Sequence, residues 1–239
     1  MAGLPGRVPS PSGWRTATVT AVRQDTPRLR VYSLAVPDRV QHLPGQHYVV
    51  RLTAPDGYTA ARSYSVASPP ADDAVELAVE RLDGGEVSAY LADEVRVGDE
   101  LEVRGPVGGW FVWRGTAPAL LVGGGSGAVP LVAMLRHARR TGREDLVRAV
   151  TAARTATDLP FAAELRGPGL RRAFSRVEPP GSERPVGRLR AADLEGLLVE
   201  GQTAFVCGSA GFAEHASQLL VAAGLDPGRV RVERFGPSG

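Results

Sequence analysis

The pattern of apolar residues changes once along this chain, near Gly115, and that change constrains the fold more than any other feature. Upstream, apolar and polar residues alternate in short runs rich in β-branched side chains. Residues 15–23, 29–36, 47–53, 61–67, 74–82, 97–103 and 109–113 read as strands. Pro44-Gly45 and Ser68-Pro69-Pro70 supply turns between them. One short helix, residues 87–94, follows Gly84-Gly85. Strands at this spacing predict a small antiparallel β-barrel or a sandwich. Downstream, strands at 119–122, 146–152, 203–207 and 229–235 alternate with helices at 130–140, 161–165, 189–198 and 210–223. That alternation predicts a parallel, Rossmann-like α/β sheet. The expected organisation is a two-domain chain: a disordered leader over 1–13, a barrel over 14–114 and an α/β domain over 115–239.

The composition, 43% hydrophobic and 23% charged, is enough for a full globular core. A net charge of +2 gives no argument for nucleic acid or an anionic membrane as partner. All 28 basic residues are arginine. With no lysine there is no P-loop lysine, no Schiff base and no lysine general base, so any phosphate falls to arginine, hydroxyls or backbone N–H groups. Cys207 is the sole cysteine. It excludes an intramolecular disulfide, and this chain alone cannot hold an iron–sulfur cluster, which normally takes four cysteines. His42, His47, His137 and His215 are scattered without metal-ligand spacing, so no metal site is expected. No run approaches the ~18 apolar residues of a membrane helix. The first thirteen residues lack the apolar core of a signal peptide, and a cytoplasmic protein is expected.

Two stretches carry candidate chemistry. In Arg62-Ser63-Tyr64-Ser65, strand alternation places Arg62 and Tyr64 on one side. A cation beside a flat ring suits a ligand with a phosphate at one end and a planar heterocycle at the other. As a lone tetrapeptide it is equally an ordinary surface cation–π pair. Further on, Gly125-Ser126-Gly127-Ala128-Val129-Pro130 follows an apolar strand and opens a helix. Glycines let the backbone approach a pyrophosphate, and the helix N-terminus favours negative charge. Pro130 stands where a dinucleotide fingerprint has its third glycine, a position in the first helical turn that tolerates proline. A plain strand-to-helix turn fits this loop equally well.

The order of these and four further motifs resembles the ferredoxin–NADP reductase family. The run is Arg62-Ser63-Tyr64-Ser65, Gly84-Gly85-Glu86-Val87-Ser88, Gly105-Pro106-Val107-Gly108, Gly125 to Pro130, Val206-Cys207-Gly208 and Glu233-Arg234-Phe235-Gly236. The resemblance spans about 14–236 and implies a flavin barrel followed by a pyridine-nucleotide domain. It implies that Arg62 pairs with the flavin phosphate, with Ser63 beside it. Tyr64 packs on the isoalloxazine and Ser65 hydrogen-bonds near flavin N5. Gly85, Val87 and Ser88 take the FAD pyrophosphate. Gly125, Ser126 and Gly127 face the pyrophosphate of the nicotinamide nucleotide. Cys207 and Gly208 lie at the nicotinamide, and Glu233 and Phe235 return to the flavin. Ser65, Cys207 and Glu233 are the implied catalytic set. One departure is Ser209, where many relatives have proline.

The function implied is hydride transfer from NAD(P)H to FAD, with FMN less favoured. Electrons then pass to an external acceptor such as a ferredoxin, another redox protein or an oxygenase component. A non-turnover flavin-binding sensor or scaffold, and a reductase of free flavin or ferric chelates, are the alternatives. Arg154 and Thr155, just past the second α/β strand, are candidates for a 2′-phosphate; Asp158 nearby opposes it, and Arg154 is nearly as well read as a solvated charge. NADPH and NADH both stay open. His47 is read as a strand-face residue, and Trp110 and Trp113 as packing.

Overall fold

The computed structural model describes residues 13–182 and 184–236. The leader expected over 1–13 lies, apart from Gly13, outside the described residues, as does Glu183 within the loop expected at 178–187. Two sheets divide the chain. Strands β1 (Arg15–Thr26), β2 (Leu29–Ala35), β3 (His47–Thr53), β4 (Thr59–Ser65), β5 (Val75–Glu80) and β6 (Glu100–Val107) form an antiparallel sheet in the order β4-β3-β6-β1-β2-β5. A bridge between Val66 and Leu77 joins the two edges and closes the barrel. The alternation seen in the sequence becomes burial: Ala17 and Val19 of β1 point inward, Thr16 and Thr18 outward. Helix α1 (Glu86–Asp93) plugs one end with Val87 and Leu91, and Tyr32 donates to the Leu91 carbonyl at 2.5 Å.

The second lobe is a parallel sheet of β7 (Ala119–Gly124), β8 (Val147–Ala153), β9 (Leu170–Phe174), β10 (Thr203–Ser209) and β11 (Val230–Phe235), in the order β11-β10-β7-β8-β9. The strand order reverses between β7 and β10, the place where α/β sheets open a ligand crevice at the carboxyl ends of their strands. Helix α2 (Ala128–Thr141) follows β7, and α3 (Ala210–Ala222) follows β10.

Helix α2 also joins the lobes. Residues 128–135 are buried on every side, the signature of a helix enclosed by protein. Leu131 and Met134 share one apolar core with Leu121 and Phe205 of the parallel sheet and with Leu29, Val31, Ala67 and Ala78 of the barrel. Beside this core, Arg136 of α2 pairs with Glu76 of the barrel and with Glu164, each at 2.6 Å, and donates to the Ala67 carbonyl at 3.0 Å. Asp25 of the barrel accepts the Phe161 N–H at 2.8 Å.

Three expected elements differ, and one strand was not expected. Residues 109–113 are a turn, not a closing strand: Phe111, Val112 and Trp113 are apolar because they are buried, while the Gly108-Gly109 segment breaks the pairing. Residues 161–165 form a turn in which Phe161 adopts a left-handed φ of 54° and its N–H goes to Asp25 instead of a helix. The helix expected at 189–198 reduces to a 3-10 turn, Ala191–Leu194, clamped by Arg184 on Asp193 at 2.8 Å. The five-residue β9, with two arginines, carries too little alternation to be seen in the sequence.

Removal of the Arg136 charge leaves two carboxylates at the seam without their partner. Arg136→Leu is expected to lower stability by about 2 kcal/mol in urea denaturation. Burial raises the Glu164 carboxyl, and the guanidinium of Arg136, helped by Arg139 and Arg23, outweighs it and holds the group below its ordinary 4.5. The stability from that carboxylate is therefore present in full above pH 4.5 and is lost as pH falls through the depressed folded value. The variant should show a weaker loss of stability on acidification over that range.

Candidate functional site at the seam between the lobes

The carboxyl edge of the parallel sheet carries an in-register row: Thr151 on β8, Gly123 on β7, Cys207 on β10 and Glu233 on β11. Paired residues of neighbouring strands share a face, and Cys207 lies in the core that faces the barrel. Across the seam, His47 of β3 pairs in register with Ser65 of β4. His47 Nδ1 stands 3.9 Å from Glu233 Oε1. The two lobes thus bring Ser65, Cys207 and Glu233 to one seam, with His47 between them.

The electrostatics of this seam follow from burial. Burial pushes the Glu233 carboxyl up to about 7 and holds the His47 imidazole below its ordinary value. Both shifts favour the uncharged forms, and 3.9 Å is too long for a hydrogen bond, so the pair is not an ion pair at neutral pH. Burial, then the neighbouring Glu233, raise the Cys207 thiol, which stays protonated. Ser65 Oγ and Glu233 Oε2 are buried and have no hydrogen-bond partner among the described residues. Buried polar atoms without partners cost about 1–3 kcal/mol each. Their pairing by the polar edge of a heterocycle is the test that a flavin passes here.

On β4, Arg62 and Tyr64 share the side opposite Ser63 and Ser65. Tyr64 is half-buried against the barrel core, and its sheltered hydroxyl also lacks a partner among the described residues. Burial pushes that phenol up, and Arg62 acts in the opposite direction on it. The Arg62 guanidinium is exposed, has no acidic partner among the described residues and donates only to the adjacent Ala61 carbonyl at 2.8 Å. Ser63 is exposed beside it.

Helix α1 starts after Gly84, whose φ of 74° requires glycine, and Gly85 is its N-cap. Its first N–H groups, those of Glu86, Val87 and Ser88, have no intrahelical partner. The side chains of Val87 and Ser88 face inward. The Ser88 hydroxyl accepts from the Leu82 N–H at 3.2 Å and donates to the Gly85 carbonyl at 3.3 Å, so it holds the loop closed. Tyr58 donates to Glu86 Oε2 at 3.1 Å and ties that carboxylate to the β3–β4 turn.

In the second lobe the glycine loop is a 3-10 turn, Gly125–Gly127, that runs directly into α2. A Cβ on Gly127 would lie 2.1 Å from the Cys207 carbonyl, so this glycine lets the turn press onto β10. Gly125, at a φ of 56°, has open space around it, and Ser126 is half-buried. Ser209, the departure noted in the sequence, is the N-cap of α3, and its hydroxyl accepts from the Phe212 N–H at 3.3 Å. The Phe212 ring lies where Cβ atoms on Gly124 and Gly208 would stand, 2.6 and 2.7 Å away. Phe235 pairs with Ser209 and packs half-buried on the shared core.

Arg154 and Arg176 lie just past the ends of β8 and β9, linked by a 2.9 Å bond from the Arg176 N–H to the Arg154 carbonyl. Both are exposed and without an acidic partner among the described residues. Thr155 donates to Asp158 at 2.8 Å, so these two engage each other. Arg176 escaped the sequence reading because β9 did. Trp110, expected as packing, is 64% exposed, with Arg231 5.3 Å from its ring centroid; Trp113 is buried as expected. Among the described residues no cluster of His, Cys, Asp and Glu is arranged to hold a metal ion.

Residues 16–112 match the family model described as an oxidoreductase FAD-binding domain. The chain is 29% identical over 230 residues to the ferredoxin–NAD(P)(+) reductase component of a naphthalene 1,2-dioxygenase/salicylate 5-hydroxylase system from Ralstonia sp, covering 93% of this chain and 69% of that one. It is 32% identical over 234 residues to the ferredoxin reductase component of a 3-ketosteroid-9-alpha-monooxygenase from Rhodococcus rhodochrous, covering 94% and 66%. This chain therefore spans about two-thirds of the length of both relatives. The crystal structure of the flavohem-like FAD/NAD-binding domain of nitric oxide dioxygenase from Vibrio cholerae superposes with a TM-score of 0.81, covering 93% of this chain and 99% of that one. At 24% identity that likeness is one of fold. Barrel, reversed parallel sheet and matched FAD-binding domain together place the chain in the ferredoxin–NADP reductase-like family of FAD-binding oxidoreductases.

Proposed function

We propose that this flavoprotein oxidoreductase takes a hydride from NAD(P)H at the seam and delivers electrons to a separate acceptor, with an oxygenase component or its ferredoxin the favoured partner. The observation that carries the reading is the pair of buried, unpartnered oxygens, Ser65 Oγ and Glu233 Oε2, contributed by opposite lobes. Relatives named as reductase components of dioxygenase and monooxygenase systems support the choice of acceptor. The lobes, divided at about 114/115 in this reading, each hold one nucleotide.

Bound FAD supplies the redox chemistry, accepting two electrons together and releasing them singly. The chain supplies position and protons. Arg62 and the free N–H groups at the start of α1 face the flavin phosphates. Tyr64 supports the ring. Ser65 Oγ hydrogen-bonds at the polar edge, and Glu233, with a pKa of about 7, holds or releases a proton there at neutral pH. Cys207 would present only a small side chain where the two rings approach. Gly125 and Ser126 offer the backbone at the start of α2 to the pyrophosphate of the second nucleotide. The exposed pair Arg154 and Arg176 favours NADPH, because two unpaired guanidiniums suit a 2′-phosphate. The single buried Cys207 thiol accords with a cytoplasmic location.

Purified protein should be yellow, release FAD on denaturation and bleach when NADPH is added without oxygen; a preparation that takes up no FAD sinks the reading. Assays with free FMN, ferric citrate and a ferredoxin separate a protein acceptor from small ones. Arg154→Ala and Arg176→Ala should each raise KM for NADPH roughly 10-fold or more, leaving NADH unchanged. The rate of flavin reduction should show an inflection near pH 7 that disappears in Glu233→Gln. The sign of the linked stability is fixed: a carboxyl raised from 4.5 to about 7 contributes stability below 4.5 and loses it as pH rises through 7. Glu233→Gln apoprotein should therefore melt higher than wild type at pH 8.

A further inference from the structure

Tyr58 has no task in the reaction proposed above, yet the chain fixes it at both ends. It closes the β3–β4 hairpin: the Ala54 N–H donates to its carbonyl at 2.8 Å, and its own N–H donates to Asp56 Oδ1 at 3.0 Å. Gly57 makes the turn at a φ of 89°, a conformation that favours glycine. At the far end of the side chain, the hydroxyl donates to Glu86 Oε2 at 3.1 Å, at the start of α1. The residue between these anchors is 58% exposed. No ring or guanidinium among the described residues stacks on it. A flat ring held in place and left open is pre-organised for a flat partner, because the entropy of ordering it is already spent.

The hairpin sets Tyr58 in line with the residues assigned to the flavin. Ala60 and Tyr64 of β4 pack on the barrel cluster that Val87 and Leu91 of α1 enter, so this side of the strand faces α1. Arg62 lies between them in the alternation. The bond from Tyr58 to Glu86 brings its ring to the same side. The Glu86 bond raises the Tyr58 phenol and Arg62 acts against it, which places the cation close to this ring as well. At a strand rise of ~3.3 Å per residue, Tyr58 and Tyr64 stand up to about 20 Å apart, with Arg62 and the free N–H groups of α1 between them. The order is ring, phosphate donors, ring. An extended dinucleotide has the matching order of heterocycle, pyrophosphate and heterocycle. A mononucleotide ends at its phosphate and leaves the Tyr58 ring uncovered.

Resting on the reading that the seam holds a flavin, we infer that Tyr58 is the stacking platform for the adenine of FAD and sets the preference for FAD over FMN. The hydroxyl bond to Glu86 aims the ring, and the ring face makes the contact.

The whole chain, freed of its flavin and titrated separately with FAD and FMN by flavin fluorescence, should bind FAD more tightly. Tyr58→Ala should weaken FAD binding roughly 10-fold or more and change FMN binding by less than about 2-fold, since stacking contributes to one flavin only. Tyr58→Phe keeps the ring without the hydroxyl and should stay within about 3-fold of wild type for FAD. Retained FMN binding shows that both variants fold. Wild type that binds neither flavin overturns the reading of the seam, and this inference with it. Equal affinity of wild type for the two flavins, or a Tyr58→Ala protein that keeps the wild-type ratio of affinities, overturns this inference alone. So does a loss in Tyr58→Phe as large as that in Tyr58→Ala, which would assign the effect to the Glu86 tie.

Discussion

The apolar core that α2 shares with the barrel is the constraint on which the site depends. Burial of apolar surface contributes about 25 cal/mol per Å², and it has no direction of its own. Direction comes from shape. Leu131 and Met134 fill the space between Leu121 of the parallel sheet and Leu29 and Val31 of the barrel, and this fixes where the carboxyl edge of the sheet meets β3 and β4. The glycine turn at the head of α2 is thereby set at one rim of the seam and the row of Cys207 and Glu233 along it. Arg136 adds polar specificity to a contact that apolar packing supplies.

The same enclosure sets the electrostatics. Glu233, His47, Cys207 and Tyr64 all shift first because they are buried, and in each case toward the uncharged form. The seam is thus weakly charged, with exposed arginines beyond it, Arg62 on one lobe and Arg154 with Arg176 on the other.

Much of this was legible in the sequence. The change of pattern at Gly115 marks the switch from antiparallel to parallel sheet, and β3 begins and ends where its alternation does. Local periodicity failed where tertiary contacts decide conformation. Phe161 looks helical but takes a left-handed turn because Asp25, more than a hundred residues away, accepts its N–H. Phe111 and Trp113 look like strand residues because burial alone makes them apolar. Glycines were visible and their reasons were not: Gly127 yields to the Cys207 carbonyl, and Gly124 and Gly208 yield to Phe212. The nearness of His47 to Glu233 depends on the joining of two lobes, which no spacing encodes.

A core common to both lobes also limits how the molecule moves. Swinging the lobes apart would strip Leu29, Val31, Met134 and Phe205 of their shared packing and uncover contiguous apolar surface. A small local shift at the rim, where half-buried Phe235 is followed at once by Gly236, costs less of this packing than a wide hinge. The relative placement of Ser65 and Glu233, one on each lobe, is therefore set when the chain folds.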